Sequence, residues 1–279
     1  MFRRMKQGWE LTKKSWSVVR ANPGLVRLPI RGGIFAVLAM VIIVIPGVAL
    51  LATEELAAQI GGGVLVAIGA YVASFSVIFY NVALAAAADV ALGGGKPDLA
   101  AARAVARSKS GIIAKWALVS AIVSVVLSII RDKGGFAGEL VAGIGGAIWS
   151  LVTFMVVPVL VFEDVGPIDA MKRSASLFRA RWGQQVTGNV AIGGVAGLIT
   201  FVGILIGVGG VLLLLVGSAA AEITGGLLVL VGMLVAIGAA VFAGATRGVF
   251  GVALYRYIAD DHALGPFTPG DLESAVKTS

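Results

Sequence analysis

Six long apolar runs, residues 34–51, 63–88, 112–130, 140–162, 186–216 and 223–258, leave this chain few folds to choose from. A helix rising ~1.5 Å per residue crosses a ~30 Å hydrocarbon core within any one of them. No water pairs with backbone groups in that core, so each run must close its hydrogen bonds internally as a helix. Composition agrees, since 58% of residues are hydrophobic and 13% charged, whereas soluble domains carry ~25% charge. The expected fold is all-α: a polytopic membrane protein of about six transmembrane helices, arranged as three hairpins with basic amphipathic cytoplasmic helices. The last two runs exceed the ~20 residues a span requires, so they tilt, extend past the bilayer or break. Gly209 and Gly210 are the expected break.

Charge decides orientation. Arg3, Arg4, Lys6, Lys13, Lys14, Arg20, Arg27 and Arg31 precede the first run, while Lys96, Arg103, Arg107, Lys109 and Lys115 lie between or just inside the second and third. Lys172, Arg173, Arg179 and Arg181 separate the fourth from the fifth, and the opposite connections hold only Arg131 and Lys133 beside several acids. Positive segments are retained in the cytoplasm, so both termini are expected there. The net charge of +7 sits beside apolar runs rather than in a separate basic domain, which points to anionic lipid and away from nucleic acid. Without cysteine the chain has no disulfide or thiolate site. Its charged first twenty residues do not form a cleavable signal.

Three connecting segments resemble one another: KPDLAAARAVARSKS from Lys96, GPIDAMKRSASLF from Gly166 and FTPGDLESAVKTS from Phe267. Asp98, Asp169 and Asp271 are each expected to cap a short helix. The chain then divides into an N-terminal amphipathic helix (1–22) and three hairpin units with their cytoplasmic segments (23–110, 111–183 and 184–279). All belong to one membrane domain, as a parallel internal repeat. In the first segment Phe2, Met5, Trp9, Trp16 and Val19 share a stripe, the pattern of a helix in the headgroup plane; packing on neighbouring helices is the alternative. Ile168, Met171, Phe178 and Trp182 form a similar stripe, with Lys172 and Arg173 off it. Lys13, Lys14, Lys172, Arg173, Arg179 and Arg181 are therefore the candidate lipid-binding residues.

Catalytic signals are weak. His262 is the single histidine, no HExxH or GxSxG occurs, and GGGKP at Gly93 lacks the spacing and hydroxyl of a phosphate loop. Asp89, Glu163 with Asp164, and Asp260 with Asp261 close spans, where pairing with nearby cations is the expected role. Arg247 lies about 33 Å along its helix from Gly225, near the inner interface. It is expected to pair with Glu163 or Asp164 in a polar interface cluster with Asn81 and Asn189. Glycines four apart, Gly193 with Gly197, Gly203 with Gly207 and Gly244 with Gly248, let helices approach closely. No cofactor or metal is expected.

The segments WELTKKSWSVVRANPGLVRLP, IFYNVAL, AKWALVSAIV, IWSLVTFMVVPVLVFEDVGPIDAMKRSASLFRARWGQQVTGN and GVFGVALYRYI resemble an uncharacterised bacterial family of six-span membrane proteins. The resemblance covers nearly the whole chain, departs at Gln184, and implies architecture and inner-membrane location without a mechanism. The passage from PVLVFE to AMKRS also resembles membrane domains attached to some glycerophosphodiester phosphodiesterases, which hints at lipids. The leading expectation is a non-enzymatic protein that binds or organises anionic lipid or partner proteins at the inner leaflet, with self-association. The alternative is a channel or facilitator for a small solute between the hairpins.

Overall fold

A computed structural model describes the backbone of residues 2–181 and 187–276, and the side chains of residues 8–177, 179 and 196–272. Among the described residues all regular structure is helical, and six helices are long and apolar enough to cross a membrane. The chain is a multi-pass all-α membrane protein.

After α1 (Phe2–Ala21), the first hairpin rises through α2 (Arg27–Ala39) and α3 (Ile45–Leu51) and returns as α4 (Leu56–Leu92). A π-helical turn at Met40–Val44 joins α2 to α3, next to Pro46, which has no N–H to donate to the helical ladder. Following α5 (Leu99–Ser108), the second hairpin is α6 (Ser110–Lys133), α7 (Gly135–Thr153) and α8 (Val156–Phe162). Its bend at Phe154 and Met155 has a local cause, because Pro158 cannot donate to the carbonyl four residues earlier. A buried hydroxyl repairs the gap: Ser174 Oγ donates to the Val152 carbonyl at 2.6 Å and accepts from the Met155 amide at 3.2 Å. That serine lies on α9 (Pro167–Arg181), which leads to the third hairpin, α10 (Thr187–Leu214) and α11 (Ala219–Asp260), and finally to α12 (Pro269–Val276).

The first and third hairpins pack chiefly against themselves, whereas the second contacts α4 at least as extensively as it contacts itself; within each hairpin the helices approach at glycine. A β-carbon at Gly62 would stand 2.5 Å from the Gly47 carbonyl oxygen, one at Gly225 2.7 Å from that of Gly210, and one at Gly232 2.5 Å from that of Gly203. Close contacts also form at Gly69, Gly138 and Gly145, so the returning helix of every hairpin carries a glycine pair seven residues apart. The break expected at Gly209 and Gly210 does not occur: α10 runs straight through, and Gly210 serves backbone contact instead. Of the expected four-residue pairs, Gly203, Gly207 and Gly248 take part in tight contacts, the Gly207 amide nitrogen standing 2.6 Å from a β-carbon placed on Gly232, while Gly244 makes an ordinary contact and Gly197 none; Gly193 lies outside the described side chains.

Among the described residues the hairpins are most tightly packed on one another toward the ends that carry the chain termini. Toward the loops, side chains such as Ile42, Leu56, Leu198, Leu215 and Ile223 are exposed, whereas Val82–Ala85 and Val249–Leu254 are almost wholly buried. The division has a physical origin. Hydrocarbon offers no hydrophobic drive for helices to associate, while water does. At ~1.5 Å per residue α4 and α11 run about 55 and 63 Å, well beyond a ~30 Å core, so their terminal-side portions stand clear of it and pack there. A β-carbon on Gly32 would lie 3.1 Å from Tyr80 and one on Gly244 3.5 Å from Pro29. These contacts bring Arg31, Asn81 and Arg247 to the same end of the helices, with Arg31 about 30 Å of helix below Leu51.

The amphipathic segments are helical, and their buried faces coincide with the expected stripes only in part. Leu11, Thr12, Ser15, Val18 and Val19 are buried on α1, which packs on α10 and α11, the alternative of the two sequence readings. Trp9 is exposed, Trp16 meets Phe242 in a tilted contact with ring centroids 4.9 Å apart, and Phe2 and Met5 lie outside the described side chains. On α9 the buried stripe is Ala170, Ser174 and Leu177, and Ile168 is exposed; the Phe178 side chain and Trp182 lie outside the description. The three aspartates are not equivalent. Asp98 caps α5 by accepting from the Ala100 amide at 2.8 Å, but Asp169 and Asp271 lie inside the first turns of α9 and α12. Proline explains the shift: Pro167 and Pro269 occupy the first helical position, which favours it, and each stands one residue farther from its aspartate than Pro97 from Asp98.

Candidate anion crevice at the hairpin junction

Where the three hairpins meet, a crevice of about 220 Å³ opens between α4, the α7–α8 bend and α11. The first hairpin supplies Asn81 and Ala85, the second Phe154, Val157 and Pro158, and the third Arg247 with Gly244, Gly248 and Gly251. Residues 244, 247, 248 and 251 lie on one helical face. The arginine therefore stands on a strip otherwise free of side chains. Arg247 is exposed toward this space and Asn81 is half-buried. Neither makes a hydrogen bond or ion pair among the described residues.

The expected pairing of Arg247 with Glu163 or Asp164 does not form. Glu163 accepts from Arg173 Nε at 3.0 Å and from the Tyr255 hydroxyl at 2.9 Å, and Asp164 pairs with Lys109 at 3.1 Å. Both acids follow α8, level with Tyr255, which is eight residues, or about 12 Å, beyond Arg247 along α11. The sequence-derived polar cluster thus separates into two sites. Asn81 and Arg247 share the crevice, Glu163 and Asp164 join ion pairs below it, and the side chain of Asn189, on α10, lies outside the described residues.

Asp89 and Asp260, which also close spans, pair with one cation. Asp89 takes two hydrogen bonds from Arg256, which also holds Asp260 at 2.9 Å and lies 4.2 Å from the centre of the Phe162 ring. Arg256 and Tyr255 were not singled out by sequence reasoning. Asp89 and Arg256 lie 167 residues apart in the chain, and only the aromatic content of LYRYI hints at a packed polar junction.

The candidate lipid-binding cations divide in the same way. Lys14 is committed to Asp271, and Arg173 to Glu163. Lys13 pairs with Glu10 at 2.6 Å and Lys172 with Asp169 at 3.4 Å, each across one helical turn with both partners largely exposed; such pairs contribute little. Arg179 is exposed beside Lys172 on an open face of α9, and the Arg181 side chain lies outside the described residues. His262 is exposed on the stretch after α11.

Comparison with known proteins adds a single result. Residues 60–265 match a family of unknown function, DUF6159. The chain belongs to this family. The matched region of DUF6159 spans every crevice residue named above, both acids at the end of α8, and the Asp89–Arg256 pair. No curated protein and no solved structure matches the chain.

Proposed function

We propose that this protein is a non-enzymatic, multi-pass protein of the bacterial cytoplasmic membrane, with cytoplasmic termini, that binds and organises anionic lipid at the inner leaflet. The observation that carries this reading is the charge left over at the hairpin junction. Arg27, Arg31, Lys115 and Arg247 are exposed and make no ion pair among the described residues, while Asp89, Glu163, Asp164 and Asp260 are already paired. Cations at this level face phosphate rather than protein. Each juxtamembrane charge contributes on the order of 1 kcal/mol near an anionic surface. Exposed Ile168 and Trp9 fit contact with the acyl boundary. We further propose that the three hairpins are copies of one unit, supported by the seven-residue glycine pair in each returning helix.

The test is lipid retention. Arg27→Gln with Arg31→Gln should lower the anionic lipid co-purified with the protein relative to neutral lipid, most clearly at low salt. Unchanged anionic content in a correctly inserted variant refutes the reading. A solute path between hairpins is the competing account, and it has support in the open junctional crevice. Arg247-dependent solute flux in proteoliposomes would favour it.

A further inference from the structure

Building on the lipid reading, we infer that the crevice holding Arg247 and Asn81 is a discrete site for one phosphate group, most simply the phosphodiester of an anionic phospholipid seated where the three hairpins meet. Two polar side chains from different hairpins, Asn81 and Arg247, line the same 220 Å³ space, and both lack partners among the described residues. A guanidinium at the edge of hydrocarbon requires a counter-charge, and Glu163 and Asp164 are engaged elsewhere, about 12 Å farther along α11. Phosphate suits the arginine fork, which offers two parallel N–H donors, while the Asn81 amide can donate to a third oxygen.

Size limits the occupant. Small-molecule pockets measure ~300–1,000 Å³, so this crevice accepts a headgroup rather than an entire lipid. Gly244, Gly248 and Gly251 keep its α11 wall free of side chains. The acyl chains would then extend toward the loops, between hairpins whose facing side chains are exposed. Because each hairpin supplies part of the wall, the occupant contacts all three units at once.

The experiment titrates the full chain in neutral detergent with phosphatidylglycerol, with phosphatidylcholine of the same acyl chains, and with inorganic phosphate, reading occupancy by native mass spectrometry and stability by thermal unfolding. One tightly held phosphatidylglycerol is expected, weakened by about tenfold or more in Arg247→Gln and less in Arg247→Lys. Should Arg247→Gln not fold, Asn81→Asp gives an independent answer. It places a carboxylate in the crevice, so it should abolish the bound phosphate while raising the unfolding temperature. Arg247-dependent binding of inorganic phosphate alone would support the phosphate site and assign it a soluble source, which overturns the lipid function. Phosphatidylglycerol retained equally by wild type, Arg247→Gln and Asn81→Asp overturns the site while leaving lipid binding elsewhere intact. No preference for phosphatidylglycerol or phosphate in the wild type overturns both.

Discussion

Arg256 grips Asp89 with two parallel hydrogen bonds, Nε to Oδ1 at 2.8 Å and Nη2 to Oδ2 at 2.7 Å. The pair fastens the terminal-side end of α11 to that of α4. Because the same guanidinium lies over Phe162 at the end of α8, one side chain joins all three hairpins. The side chains are 28% and 24% exposed, too shielded for the ion pair to count as an ordinary surface contact.

Breaking this fork should therefore destabilise the junction. Arg256→Gln or Asp89→Asn is expected to lower stability by about 1.5–3 kcal/mol, the range for hydrogen bonds to charged groups. Arg256→Lys should not restore it, since an ammonium cannot reproduce the two-pronged geometry. A double-mutant cycle on thermal or denaturant unfolding checks the claim. Additive effects would show that the two residues do not act as a pair.

Neighbouring glycines on α11 should respond oppositely to alanine. At Gly225 a β-carbon meets the Gly210 carbonyl oxygen at 2.7 Å and the Leu214 amide nitrogen at 3.0 Å, whereas at Gly226 it meets nothing within 4 Å. Gly225→Ala should push α10 and α11 apart and cost about 1–3 kcal/mol. Gly226→Ala should be neutral or stabilising by up to ~1 kcal/mol, because alanine is the better helix former. Melting temperatures of the two variants suffice to decide.

Acid should loosen α12 from α1. Burial pushes the Asp271 carboxyl upward, but hydrogen bonds from Lys14 and from the Thr268 hydroxyl and amide outweigh it and hold the group below its ordinary value of 3.8. A carboxylate depressed in the folded state contributes stability above its unfolded value and loses it as pH falls through the folded one. Hydrogen exchange in α12 should rise as pH drops below about 4, and Asp271→Asn should show the faster exchange already at neutral pH. Exchange that follows pH identically in both proteins would contradict this.

Orientation can be tested with single cysteines at exposed loop-side positions. Leu56→Cys and Phe136→Cys occupy sites 70% and 85% exposed and should react with an impermeant reagent from outside intact cells. Lys96→Cys should react only after lysis. The reverse pattern would overturn the cytoplasmic placement of the termini.

The sequence by itself determined the helical class and the number of crossings, because apolar length and the absence of water in hydrocarbon permit no other local structure. It also placed Arg247 near a membrane boundary, since depth along a helix is only residue count times rise. Tertiary structure decided partners. Arg247 and Glu163 looked like a pair by charge and approximate depth, yet the bend imposed by Pro158 and the position of α9 give Glu163 to Arg173 and Tyr255. Lys14 looked like a lipid contact until the packing of α1 brought it to Asp271, 257 residues away. The glycines show the same division: their abundance was plain, but the seven-residue spacing mattered only because antiparallel helices meet along one face at about that repeat. Local geometry is encoded within a few residues. Which charges remain free for an external anion depends on contacts across the whole chain, and only the folded junction fixes them.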